Sequence, residues 1–227
     1  AVYQSAARYR RPVLLASTSE VYGKNTRVPF HEDDDRVLGP TSKARWCYAT
    51  SKALDEFLAL TYHRQHALPV VIARLFNTVG PRQTGRYGMV VPRFVQQALR
   101  GERVTVYGTG EQTRCFCNVA DTVRALMALM DCAAAVGQAF NVGSTEEVSI
   151  LELARRVVAL AAGGADRLEE RIVLIPYDEA YEPGFEDMAR RVPAIDKVRA
   201  VTGWQPRIPL EETLCQVIAY YRQREEG

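Results

Sequence analysis

The 227-residue chain lacks any large excess of one charge: 29 Lys+Arg stand against 27 Asp+Glu, a formal net charge of +2. Its basic residues are dispersed, with no arginine-rich run and no aromatic interleaving, which removes the electrostatic case for nucleic acid. Also missing is an apolar run near the ~20 residues of a membrane span, and the N-terminus lacks the pattern of a secretory signal. Cysteine is scarce and unpaired in pattern. Cys47, Cys115, Cys117, Cys132 and Cys215 are an odd number at irregular spacings, and the C-x-C at Cys115 and Cys117 has no second pair to complete a zinc site. Buried free thiols in a cytoplasmic protein are therefore expected, with no metal. No internal repeat or low-complexity segment is present. A hydrophobic fraction of 47% with 25% charged residues is ordinary for a globular protein, and the length suits one large domain or two small ones.

What is present is an alternation of strands and helices. Residues 1–9 read as the tail of a helix. Residues 12–17 (P-V-L-L-A-S) form a continuous apolar run that suits a strand of a covered parallel sheet, and it empties into the hydroxyl-rich turn Thr18-Ser19-Glu20. Residues 25–43 are polar and include the acidic run Glu32-Asp33-Asp34-Asp35, a solvated surface loop. A helix follows over 48–66, with Leu54, Phe57, Leu58 and Tyr62 at the spacing that packs one face on the sheet. Residues 69–75 are the next buried strand, which ends at Asn77. Strand, helix and strand at this spacing make a βαβ crossover. Beyond a linker at 85–88, helices are predicted at 91–100, at 122–131 (opened by Asp121), at 150–162 (a Ser149/Glu152 capping box), at 194–202 and at 210–224. Short strands are predicted at 104–107, 113–119, 139–143 and 171–176. The Gly108-Thr109-Gly110 turn has no basic residue placed like a phosphate-binding lysine, so it reads as a turn.

The chemistry centres on Arg45-Trp46-Cys47-Tyr48-Ala49-Thr50-Ser51-Lys52. Tyr48 and Lys52 are four residues apart, which on a helix puts them on one face about a turn apart. A phenol is a poor base at neutral pH, but an ammonium held nearby favours the phenolate and makes it a proton acceptor for a substrate hydroxyl. Small polar groups after a parallel strand, such as Thr18 and Ser19, sit where open α/β sheets bind ligands.

Strand to Thr18-Ser19-Glu20, then Tyr48-x-x-x-Lys52, then R-L-F-N-x-x-G-P-R through Asn77 resembles the extended short-chain dehydrogenase/reductases that modify nucleotide sugars. V-T-V-Y-G-T-G-E-Q-T-R, F-N-V-G-S and T-G-W-Q-P are similar to that family's substrate lobe. The resemblance implies an α/β fold: the C-terminal part of a Rossmann-like doubly wound parallel sheet over residues 1–84, and a smaller mixed α/β lobe in 85–227 with returning segments. It implies NAD as cofactor, a UDP-sugar as substrate, and a homodimer built by pairing helices, with Ala53, Phe57 and Leu60 on the outer face. Thr18 would bind the sugar 4-hydroxyl and Tyr48 would take its proton. Lys52 would hold the nicotinamide ribose, so Tyr48 and Lys52 also count as cofactor-binding. Ser19, Asn77, Arg86, Val104, Tyr107, Arg114 and Arg191 would contact substrate, with Asn77 and Arg114 at the diphosphate and Val104 to Tyr107 at the nucleobase.

Within that family, Ser19 stands where 4,6-dehydratases carry an aspartate, which argues against dehydration. T-S-E-V-Y-G, Arg45-Trp46 and Gly184-Phe185-Glu186-Asp187 before Arg190-Arg191 are similar to the UDP-glucuronate decarboxylases. Glu20 and Arg191 would then flank C5 and the carboxylate. A UDP-sugar 4-epimerase could use the same residues, and a non-catalytic nucleotide-sugar-binding remnant is the alternative from another class. A redox enzyme using NADPH on a free small molecule would leave Asn77, Arg114 and Arg191 without a role. The G-x-x-G-x-x-G turn and acidic ribose-binding residue of the family's leading half are absent, so the chain is expected to bind NAD weakly or not at all. Isothermal titration checks this, and a micromolar NAD affinity would overturn it.

Overall fold

Helix α1 (Val2–Arg8) leads into strand β1 (Val13–Thr18), where the apolar run following Pro12 becomes extended. The strand stops at Thr18 because its Oγ1 accepts the Glu20 N–H at 3.2 Å, which starts a 3-10 turn over Ser19–Tyr22. Helix α2 (Arg45–His66) returns to β2 (Val70–Leu75), which pairs parallel with β1 from Val13↔Val70 to Thr18↔Leu75. Then come β3 (Thr78–Val79), α3 (Val90–Leu99), β4 (Val104–Tyr107), β5 (Thr113–Cys115), β6 (Cys117–Asn118) and α4 (Val119–Met130). Strand β7 (Gln138–Val142) comes back to the first sheet, parallel to β2, in the order β1-β2-β7. The chain closes with β8 (Glu147–Ser149), α5 (Ile150–Ala162), β9 (Ile172–Ile175), α6 (Tyr177–Ala180), α7 (Asp196–Thr202) and α8 (Leu210–Glu225). This computed structural model describes residues 1–85, 89–162, 164, 167–180 and 186–225. Among them no helix is long and apolar enough to cross a membrane.

The parallel sheet is covered on both faces, as a doubly wound fold requires. Alternation along β2 directs Val70 and Ile72 toward Ala59 of α2, while Val71 and Ala73 pack with Ala125 and Leu129 of α4. A second core joins Phe94 and Val95 of α3, Leu153 and Val157 of α5, and Leu214 and Val217 of α8 around Val104 and Val106. It is framed by the parallel pair β4–β9 and the antiparallel pair β5–β8.

Helix α2 corrects the sequence reading most. Leu54 and Phe57 are each 57% exposed and Leu58 is exposed too, whereas the face on the sheet is Trp46, Ala49, Ala53, Glu56 and Ala59. Alanines let the helix lie close on the strands, and Glu56 is drawn inward by Arg74. Ala53, expected outside, is therefore core, and Leu60 is half-buried against the α2–sheet cluster. Arg74 donates from Nε and Nη2 to the Glu56 carboxylate (Nη2 to Oε2 at 2.7 Å) and from Nη1 to Tyr22 OH at 3.0 Å and Glu32 O at 2.7 Å. Ser17 Oγ donates to Glu56, and Tyr22 OH donates to Asn141 Oδ1 at 2.7 Å. The acidic run is thus only partly solvated: Glu32 Oε1 also accepts the Asn141 N–H at 2.8 Å.

Smaller corrections follow the same logic of partners. Helix α4 is capped by Asn118, whose Oδ1 accepts the Ala120 N–H at 2.9 Å, rather than opened by Asp121. Asp121 is buried in the first turn, where it accepts the N–H groups of Arg207 (2.7 Å) and Ile208 (2.8 Å) and a guanidinium donor of Arg124. Only half of the capping box forms: Ser149 Oγ accepts the Glu152 N–H, but the Glu152 carboxylate serves Arg156. The predicted linker keeps only Gly85 among the described residues. All five cysteines are free, but Cys47 and Cys215 lie on solvent faces of α2 and α8 rather than inside.

Two outcomes test this packing. Breaking the buried pair one-sidedly (Arg74→Met or Glu56→Leu) is expected to cost about 3–5 kcal/mol in urea unfolding, and the double variant less than the two together. Additive losses would show that the two side chains do not act as a unit. Burial pushes the Cys115 thiol up to about 12 and the Cys117 thiol up to about 11, so neither offers thiolate at pH 8. A thiol-reactive dye at that pH is expected to label Cys47 and Cys215 first, and Cys115 and Cys117 only after unfolding.

Candidate active site

Both β1 and β2 run to the same edge of the sheet, so their carboxyl ends bring Thr18 and, two residues past β2, Asn77 to one place. A cavity of about 760 Å³ opens there. Thr18, Ser19, Glu20, Tyr48, Lys52, Asn77, Tyr107, Arg114 and Arg191 all line it, residues drawn from a 174-position stretch of the chain. Tyr48 is 52% exposed on the first turns of α2, which Trp46, Ala49 and Ala53 fix to the interior. Lys52 Nζ donates to Ala16 O at 3.0 Å and lies 3.8 Å from Asp55 Oδ2, tying the helix to β1 just before Thr18.

Ser19 is buried and its Oγ has no hydrogen-bond partner. A buried hydroxyl left unpaired on a cavity wall is free to pair with a molecule in the cavity. Arg191, 7% exposed, donates from Nη2 to Glu20 Oε1 at 2.9 Å and from Nη1 to Asn77 Oδ1 at 3.5 Å, while its Nε has no partner. Burial pulls its guanidinium below the ordinary arginine range; Glu20 opposes that shift and Arg114 adds to it. Asn77 Nδ2 donates to Cys115 O at 3.0 Å, which holds the side chain against β5.

Charges on this wall alternate. Arg191 pairs with Glu20. The other carboxylate oxygen of Glu20 is 3.7 Å from Arg45 Nη2, and Arg45 donates to Asp187 Oδ1 at 3.2 Å. Arg114 donates to the same oxygen at 2.8 Å, and also to Thr113 O and Met188 O. Three guanidinium groups stand against two carboxylates in this network, an excess of one positive charge, and Lys52 and Arg93 add two more to the cavity lining. Glu186 beside it accepts Trp46 Nε1 at 3.0 Å and pairs with Lys24. That contact passes over Gly39, where a Cβ would sit 2.2 Å from Trp46 Nε1.

At the other end, Tyr107 carries the Arg93 guanidinium 4.0 Å over its ring. Gly108 has φ +71°, and a Cβ there would meet the Tyr177 ring at 2.7 Å, so glycine is needed for Tyr177 to reach the cavity. Val104 does not reach it: with Val106 it points into the second core, because residues of one strand alternate sides and only Thr105 and Tyr107 face out. Arg86 lies outside the described residues. The sequence reading gave no role to Arg45, Asp187 or Gln83, all on the cavity wall. Gln83 Nε2 donates to Thr78 O at 3.1 Å, which leaves Oε1 a buried acceptor without a partner. Both Arg45 and Asp187 stood in stretches read as similar to the UDP-glucuronate decarboxylases, and Arg45 also lies three residues before Tyr48 on the same helix, but neither was given a role.

Residues 3–217 match the family described as GDP-mannose 4,6 dehydratase. The chain is 43% identical over 225 residues to a UDP-N-acetyl-alpha-D-glucosaminuronate decarboxylase of Bacillus cytotoxicus, covering 99% of this chain and 68% of that protein. It is 39% identical over 221 residues to UDP-glucuronic acid decarboxylase 1 of Xenopus tropicalis, covering 97% of this chain and 49% of that one. The solved structure of the epimerase Mth375 from Methanothermobacter thermautotrophicus superposes with a TM-score of 0.84 at 27% identity, over 99% of this chain and 63% of the other. The chain thus spans between about half and two thirds of the length of these proteins.

Proposed function

The chain belongs to the GDP-mannose 4,6-dehydratase-like family of short-chain dehydrogenase/reductases, and from that premise we propose that its cavity takes a UDP-linked hexuronate and, with NAD, decarboxylates it. The observation that carries this reading is buried Arg191, paired with Glu20 and keeping a spare Nε donor, in one cavity with the unpartnered Ser19 hydroxyl, Tyr48 and Lys52. A desolvated guanidinium with free donors suits a carboxylate. The two decarboxylase relatives named above act on hexuronates, which supports the same substrate class.

The residues present fit one end of NAD. Lys52 and Tyr48 share the helix face on the cavity, where the ammonium can bind ribose hydroxyls and the phenol can meet the reacting carbon's oxygen. The sequence holds no G-x-x-G-x-x-G turn for the pyrophosphate, so these residues account for the nicotinamide ribose and for nothing beyond it. When bound, NAD would supply the two-electron oxidant for the sugar C4.

Thr18 Oγ1 accepts the Glu20 N–H, which turns its own O–H outward as a donor to the C4 oxygen. Tyr48 takes the C4 hydroxyl proton. A ketone at C4 stands β to the C6 carboxylate, so the C5–C6 bond can break with its electron pair moving toward the C4 oxygen. The Thr18 and Tyr48 hydroxyls donate to that oxygen as charge builds on it. Arg191 holds the carboxylate before loss, and Glu20 and Arg191 flank C5, where a proton must return. Asn77 and Arg114 serve the diphosphate, and Tyr107 with Tyr177 forms the nucleobase end. A homodimer through the outer face of α2 is part of this reading, supported by the exposed Leu54, Phe57 and Leu58.

Incubation with UDP-glucuronate labelled at the carboxyl carbon and a large excess of NAD, to offset the weak binding expected of this chain, is expected to release labelled carbon dioxide. UDP-galacturonate as product would replace decarboxylation by 4-epimerisation. Tyr48→Phe is expected to lower kcat roughly 10²- to 10⁴-fold with little change in UDP-glucuronate affinity; undiminished turnover would remove Tyr48 from the reaction.

A further inference from the structure

We infer that Arg93 is a substrate-binding residue: at the Tyr107 end of the cavity its guanidinium takes the phosphate next to the ribose of the nucleotide. The inference rests on the nucleotide part of the reading above and adds a residue to which that reading gives no role. Arg93 stands on α3 and lines the cavity. The other cations of the lining each lie beside a carboxylate: Arg191 with Glu20, Arg45 with Glu20 and Asp187, Arg114 with Asp187, and Lys52 with Asp55. Arg93 has no such partner among the described residues. Its contacts are a threonine hydroxyl and two aromatic rings. It is thus the cation of the lining whose charge no acid offsets.

The side chain is nonetheless held in place. Arg93 Nη1 donates to Thr105 Oγ1 at 3.2 Å, and the guanidinium lies 4.0 Å over the Tyr107 ring. Thr105 is fixed in turn by Gln97, whose Oε1 accepts the Thr105 N–H at 3.1 Å and whose Nε2 donates to Thr105 Oγ1 at 3.1 Å. Nη1 is therefore committed to positioning, while the edge formed by Nε and Nη2 is uncommitted. Nε is buried without a partner, and Nη2 makes no hydrogen bond among the described residues. Arg74 shows what that edge can do, since it grips the Glu56 carboxylate through the same two nitrogens. Two parallel donors on a planar cation match two oxygens of one phosphate. A neutral base carbonyl would engage the donors but leave the charge without a counterion. Because the guanidinium is fixed before a ligand arrives, little side-chain freedom is lost on binding.

The test is a ligand-observed NMR titration of the intact chain and of its R93M and R93K variants with UDP, UMP and uridine. R93M keeps an apolar stem beside Tyr107 and removes the charge. It is expected to weaken UDP and UMP by roughly ten- to a hundredfold, the effect of losing charge-assisted hydrogen bonds, and to leave uridine within about twofold. R93K, which keeps the charge but not the two-pronged edge, is expected to recover part of the loss. Unchanged uridine binding also shows that the variants are folded. If uridine weakens in step with UDP in both variants, Arg93 serves the base or the fold and the inference is overturned. If UMP keeps its affinity in R93M, the phosphate next to the ribose is not the one held, and the inference is likewise overturned. None of the three probes carries a sugar acid, so the decarboxylase reading can fail while this inference stands. If the unaltered chain binds neither UDP nor UMP, the nucleotide-sugar reading of the cavity fails and takes the inference with it.

Discussion

The Arg74–Glu56 ion pair, buried between α2 and the sheet, is the contact on which the other contacts rely. An ion pair removed from water is tolerated only when nearly every donor and acceptor is matched. Here Ser17, Tyr22 and the carbonyl of Glu32 complete the match, and Tyr22 passes the network to Asn141. Those partners come from β1, the 3-10 turn, the loop before α2, β2 and β7. The network therefore sets the height and rotation of α2 over the strands, and Tyr48 and Lys52 follow from that setting. Ser17 belongs both to this network and to the cavity wall, so the link from stability to site is one residue long.

The cavity inverts the rule of the core. Beneath the sheet each charge is satisfied; on the cavity wall the charges alternate, yet Ser19 Oγ, Arg191 Nε and Gln83 Oε1 are left without partners. Buried polar groups in that condition weaken the empty protein and strengthen it when a ligand supplies what they lack. Among the described residues the cavity lining carries five cationic side chains against two carboxylates, a net charge of +3.

How much of this was legible depended on whether the signal was local. Tyr48 and Lys52 are a turn apart, and their shared face could be read from spacing alone. Strands β1 and β2 announced themselves as apolar runs. The buried face of α2 was misread because hydrophobic size was taken as the mark of burial. Close packing on a sheet instead selected alanines, and a long-range arginine pulled a glutamate inward. Val104 was misassigned by treating a strand as one surface when its residues face two ways. Arg45–Asp187 and Trp46–Glu186 join positions 142 and 140 residues apart, and no window along the chain contains both members.

The same separations bear on how the protein reaches its native state. Glu20 and Arg191, whose contact closes one end of the cavity, lie 171 residues apart, and Asn77 and Arg191 lie 114 apart. Loop-closure entropy for such contacts is incurred before they contribute any stability, so they form slowly and late. The helices and the β1–α2–β2 unit can condense from nearby residues, whereas the Glu20–Arg191 end of the cavity exists only once the chain has closed on itself. Ligand binding at that end is therefore a report on completed folding. A molecule with native helix content but an unclosed C-terminal segment would be spectroscopically ordinary and functionally blank.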